Sequence, residues 1–95
     1  MRPHGENGKG GAGEQAQTLA LMALGWTLSD GARADRLLAL TGLDSQALRD
    51  GLDNGAVLGA VLGFLADHEP DLIVCAAELG VDPADLIAAR RALGA

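Results

Sequence analysis

The densest group of chemically capable side chains in this sequence is Asp67, His68, Glu69, Asp71 and Cys75. Carboxylates, an imidazole and a thiol lying this close together could meet on a divalent metal. A zinc site, however, takes three or four ligands at a recognisable spacing, and none is present. The acids flank Pro70, as they would at the positive end of a helix that begins there. Cys75 falls where a small apolar residue would pack. Capping and packing are the expected roles, and no metal is expected. Asp50-x-x-Asp53-Asn54-Gly55 has the outline of a calcium loop. It fails because Leu52 and Val61 stand where oxygen ligands belong.

Nucleophilic catalysis needs a Ser, Cys or Lys beside a base. Ser29 and Ser45 sit at expected helix starts, Lys9 and His4 lie in a glycine-rich N-terminal segment, and Cys75 is expected to be buried. The remaining histidine, His68, stands at a helix junction. The carboxylates fall at helix ends, where capping accounts for them. No glycine run closes with the Gly-Lys-Ser/Thr of a phosphate loop. The expectation is a non-enzyme with no catalytic residue, no cofactor and no metal. Ala76-x-x-x-Gly80-x-x-x-x-x-Leu86 has the spacing of a helix-turn-helix, loosely echoed by Leu38, Gly42 and Leu48. A DNA-reading helix begins at base edges and phosphates, whereas this one would begin with Asp82 and Asp85. The chain carries thirteen acids against seven bases, a formal charge of −6. That balance disfavours nucleic acid and anionic membrane alike.

The elements that must hold these residues are helices. Residues 1–13, MRPHGENGKGGAG, hold five glycines and no large aliphatic after Met1, and they read as a disordered tail. Residues 14–95 read as one helical domain. A first helix is expected over about 14–28, and a second carries Leu37, Leu38 and Leu40 to a stop at Gly42. Asp44 caps a short third helix through Leu48. Residues 49–55, RDGLDNG, read as a turn. A fourth helix is expected over about 54–67, and a fifth from Pro70 to a stop at Gly80. Asp82-Pro83-Ala84-Asp85 starts the last. No window alternates with period two, so the fold class is all-α: five to six short helices in one compact domain. The core is expected to be built from leucine together with Val57, Val61, Ile73, Val74, Val81 and Ile87. A single cysteine excludes an internal disulfide and fits a reducing cytoplasm. No secretory leader is expected, since no apolar run follows the early arginine.

A shift of 38 residues lays Leu24-Gly25-Trp26 on Leu62-Gly63-Phe64, Gly42-x-Asp44 on Gly80-x-Asp82, and Leu48 on Leu86. These are cap, stop and aromatic positions, which favours a degenerate three-helix repeat with Trp26 and Phe64 equivalent.

Residues 55–63 read GAVLGAVLG, with glycine at every fourth position. At about 100° per residue, Val57, Leu58, Val61, Leu62, Phe64 and Leu65 cover one broad side. Gly55, Ala56, Gly59, Ala60, Gly63 and Ala66 cover the other. A surface helix would carry charge there, and this one has none. Interior glycine costs about 0.5–1 kcal/mol against alanine, which close approach of another helix would offset. Gly55, Gly59, Gly63 and Ala66 are therefore the candidate helix-contact face, packed internally rather than against a partner. The uncharged run from Asn54 to Ala66 spans roughly 20 Å, too short for a hydrocarbon core of about 30 Å.

Four segments, EQAQTLALMALGW (14–26), LLALTGLDSQALR (37–49), AVLGFL (60–65) and AAELGVDPADLIAARRAL (76–93), together resemble domain-of-unknown-function family 3572. The resemblance covers nearly the whole expected domain. It implies an all-helical, cytosolic, mainly alphaproteobacterial protein, and it implies no activity. What the residues favour is a non-enzymatic protein–protein interaction module with an unknown protein partner. No nucleic acid or membrane is expected, and oligomerisation is left open. The alternative is an acidic helix-turn-helix-like accessory of a transcription regulator. An exposed apolar patch would favour the first, and an exposed basic stripe on the last helix the second.

Overall fold

Short polar residues and glycine interrupt the apolar sequence at intervals, and each interruption becomes a joint between helices. The computed structural model describes the backbone of residues 4–94 and the side chains of residues 13–94. Among them run α1 (His4–Leu28), α2 (Gly31–Thr41), α3 (Ser45–Asp50), α4 (Gly55–Ala66), α5 (Glu69–Leu79) and α6 (Pro83–Ala92), with no strand. The fold is all-α and forms a single domain.

The joints are closed by local chemistry. Asp30 accepts from the Arg33 amide at 3.1 Å, Asp44 from Ala47 at 2.7 Å, and Asn54 from Ala56 at 2.8 Å. The amide donated by Arg33 holds the Asp30 carboxyl below its ordinary pKa. At the start of α6 the Asp85 carboxylate accepts from the Asp82 amide at 2.9 Å. Gly42 and Gly80 take the left-handed conformation, φ 76° and 75°, which only glycine adopts at little cost. They end their helices differently. Gly42 donates to Leu38 alone, whereas after α5 Val81 donates to Ala76 and Gly80 to Ala77, the paired bonds of a Schellman stop.

Two boundaries differ from expectation. α5 begins at Glu69, one residue before Pro70. α1 begins at His4, ten residues ahead of the start expected near Glu14 and inside the segment read as a disordered tail. A helix already nucleated by packing lengthens at one hydrogen bond per residue without a second nucleation cost. The side chains of residues 1–12 and the backbone of 1–3 lie outside the described residues.

The core is built around α4, which touches α1, α2, α5 and α6. Leu37, Leu58, Val61, Leu62, Leu65 and Leu86 are fully enclosed. α1 turns its small residues inward: Ala16, Ala20, Ala23 and Leu24 are buried, while Leu21, Met22 and Leu28 stay exposed. Alanine at these positions lets α1 lie close to α4 and α6. Thr27 is buried on the same side and donates its hydroxyl to the Ala23 carbonyl at 2.8 Å. Ile73 and Val74, expected in the core, are instead 51% and 50% exposed.

The repeat does not survive the packing. Phe64 is buried, but Trp26 is half-buried beneath the Arg33 guanidinium, 3.7 Å from its ring centroid. A Cβ on Gly63 would meet a neighbour, whereas one on Gly25 would meet nothing within 4 Å. α6 packs on α1, α4 and α5, while its counterpart α3 makes only peripheral contacts. The caps and stops recur in sequence and in conformation, but the faces packed behind them differ. The shared residues therefore mark helix boundaries, not a duplicated unit.

Candidate interaction surfaces

The ladder is positioned by Asn54, which anchors the first turn of α4, and by α6, which lies across its glycines. A Cβ on Gly55 would sit 3.0 Å from the Leu93 carbonyl oxygen, and one on Gly63 would sit 3.2 Å from the Arg90 guanidinium. Gly59, one turn from each, is buried; Gly55, Ala60 and Ala66 are half-buried, and only Ala56 of the small-residue side is exposed. The structure thus brings the C-terminal end of α6 onto the candidate helix-contact face. Sequence reasoning missed Gly51, which is buried beside the ladder and whose Cβ would fall 2.6 Å from a Val57 methyl. The sequence places it only in the 49–55 turn; its φ of −104° is ordinary backbone, so nothing in the sequence points to its packing.

The acidic cluster at the α4–α5 joint disperses. His68 places its Nδ1 2.9 Å from the Phe64 carbonyl oxygen, and its ring lies 5.0 Å from the Phe64 ring. Asp71 accepts from Arg36 of α2 at 2.8 Å and so ties α5 to the rest of the bundle. Cys75 is fully enclosed, and burial pushes its thiol up to about 11. Among the described residues no three of His, Cys, Asp or Glu gather as metal ligation would require. Ser29 is committed to the α1–α2 joint, where it donates to the Trp26 carbonyl at 2.6 Å. Beside the α4–α5 joint a groove of about 450 Å³ has Gly63 and Arg90 on one wall and Leu40 and His68 on others.

The feature that sequence reasoning placed wrongly is the outer side of α5. Leu72, Cys75 and Ala76 are buried, and Leu79 packs against the core. Pro70, Ile73, Val74 and Ala77 face outward and are all exposed. Their spacing is i, i+3, i+4 and i+7, a continuous apolar strip along one helix face. Asp71 and Glu78, two turns apart, share an azimuth along one flank of that strip. α5 is therefore apolar on two sides and buries one. Among the described residues no helix is long and apolar enough to cross a membrane.

No curated protein and no solved structure matches the chain. Residues 13–95 match the family described as "Protein of unknown function (DUF3572)", and the chain belongs to that family.

Proposed function

We propose that this member of the DUF3572 family is a non-enzymatic, cytoplasmic protein–protein interaction module that engages its partner through the outer side of α5. The observation that carries the reading is the exposure of Ile73 and Val74 at about half of their surface on a helix whose opposite side is already packed. Exposed apolar residues scattered singly need no explanation, but a continuous strip on one helix face marks a contact site. Leaving Ile73 and Val74 in water forgoes burial worth about 25 cal/mol per Å². Occupation by a partner recovers it.

The helix-turn-helix alternative gains no comparable support. α6 opens with Asp82 and Asp85, where a DNA reader would meet bases, and its two arginines lie at the far end. Arg90 is half-buried against Gly63, which leaves Arg91 as the exposed base of that turn.

The test compares the wild-type protein with the Ile73→Asp/Val74→Asp double variant, both verified as folded by thermal melting. A protein retained from native lysate by the wild type and lost by the variant, then shown to bind directly when purified, supports the module. Retention of the same proteins by both forms would remove the α5 surface from the reading.

A further inference from the structure

The chemistry of the α5 strip specifies what covers it. We infer that its occupant is an amphipathic helix of another protein, apolar on its docking face and lysine- or arginine-rich along its flank. This deepens the module reading and rests on it.

The shape argument comes first. Pro70, Ile73, Val74 and Ala77 span two turns on one face, roughly 10 Å along the axis at 1.5 Å per residue. A strip of this form accepts a second helix that offers its own i, i+3, i+4 and i+7 anchors. α5 is a firm platform for it: its first turn holds Pro70, its end is closed by the bonds at Gly80 and Val81, and Asp71 ties it to α2.

Charge then selects among occupants. The flank of the strip carries Asp71 and Glu78, and Glu69 stands at the N-terminal end. Arg36 satisfies Asp71, and Glu78 has no ion-pair partner among the described residues. With these acids included, the whole chain carries a formal charge of −6. A second copy of this chain is a poor occupant, because two-fold antiparallel pairing sets each flank against itself. Among the described residues, the only base a second copy brings to Glu78 on that flank is Arg36, already committed to Asp71 at 2.8 Å, so no free cation meets it. An anionic lipid surface is repelled by the same acids. A basic flank on the partner converts Glu78 from an unpaired acid into one side of an interfacial ion pair.

Synthetic helical peptides supply the probe, at about 18 residues so that the helix can hold. One carries leucine at i, i+3, i+4 and i+7 with lysine flanks, the second replaces the lysines by glutamate, and the third keeps the lysines but replaces the leucines by serine. Fluorescence anisotropy at physiological salt reads their binding to the full chain. The lysine–leucine peptide is expected to bind, and the glutamate and serine peptides to bind at least about tenfold more weakly. Ile73→Asp/Val74→Asp should weaken the lysine–leucine peptide at least about tenfold even though it makes the surface more acidic. Glu78→Lys should weaken it too and improve the glutamate peptide. Equal binding of the lysine–leucine peptide to wild type and double variant would overturn the proposal, as would equal binding of the lysine and glutamate peptides to the wild type. A wild-type dimer in sedimentation that the double variant dissolves would assign the strip to a second copy instead. If the peptides fail while lysate capture still depends on Ile73 and Val74, the basic-helix partner falls and the module reading stands. If capture ceases to depend on them, the module reading itself falls.

Discussion

α4 and α5 are adjacent helices of similar length, the first without a charged residue and the second with Glu69, Asp71 and Glu78, and they end in opposite situations. α4 is enclosed by four other helices and α5 by three, with one side left open. The difference lies in the residues on the second side of each. α4 offers glycine and alanine there, so α6 can settle until a Cβ on Gly55 would sit only 3.0 Å from the Leu93 carbonyl oxygen. α5 offers isoleucine and valine there, and among the described residues no element covers them. On its inner side, Cys75 and Ala76 let the core approach closely. In α4 both arcs find cover, whereas in α5 the arc of Leu72, Cys75, Ala76 and Leu79 is packed and the arc of Pro70, Ile73, Val74 and Ala77 is not.

The largest effect expected from this contrast lies on the inner side of α5. The Cys75 thiol is raised by burial from 9.0 to about 11. Below pH 9 both native and unfolded chains hold the proton, and its full contribution to stability is present. Between pH 9 and about 11 the unfolded chain loses the proton while the native chain keeps it, so stability falls as pH rises. About two units at 1.36 kcal/mol each give a loss near 3 kcal/mol. Urea unfolding across that window should show the slope in wild type and a shallower one in Cys75→Ala. Equal slopes would mean that the inner side is wet and that the two sides of α5 do not differ as described.

The next effect falls on α4. Gly59→Leu forces a side chain into a buried position flanked by two glycines that α6 already faces. Overpacking of this kind costs about 1–3 kcal/mol, a large share of the about 5–15 kcal/mol that holds a small domain. A thermal melt reads it, with sedimentation confirming that association is unchanged. A variant as stable as wild type would place open space behind the ladder and erase the distinction from α5.

Much of the backbone plan was legible in the sequence. Asp44, Gly42, Gly80 and the Asp82–Asp85 pair each carry a local conformational demand, and local demands can be read without knowing the neighbours. The ladder stands out in the sequence, because glycine repeated in an uncharged helix has few compensations besides close packing. The outward turn of Ile73 and Val74 was not legible. Asp71 and Glu78 mark one solvent-facing flank, and either neighbouring arc of α5 could have been buried. The choice depended on the fit of Cys75 and Ala76 against residues far away in the chain. The false repeat failed for a related reason: caps recur whenever helices recur, and identity at caps carries no information about which faces meet. Gly51 went unmarked because its need is a distance to Val57, not a dihedral angle.

The smallest effect is the one that separates the two helices most cleanly. Ile73→Ala removes an aliphatic side chain from the outer side of α5. In a core, isoleucine to alanine costs about 2–5 kcal/mol through lost burial and the cavity left behind. At Ile73 half of the side chain is already in water and no cavity can form. The lost half-burial is opposed by a gain of a few tenths of a kcal/mol from alanine's better helix propensity. The expected change in unfolding free energy is therefore within about 0.5 kcal/mol of zero, the range of ordinary surface substitutions. Leu58→Ala on α4, measured beside it, should fall in the core range. If Ile73→Ala instead costs more than about 2 kcal/mol, the strip is packed in the isolated chain, and both the open side of α5 and the partner assigned to it must be abandoned.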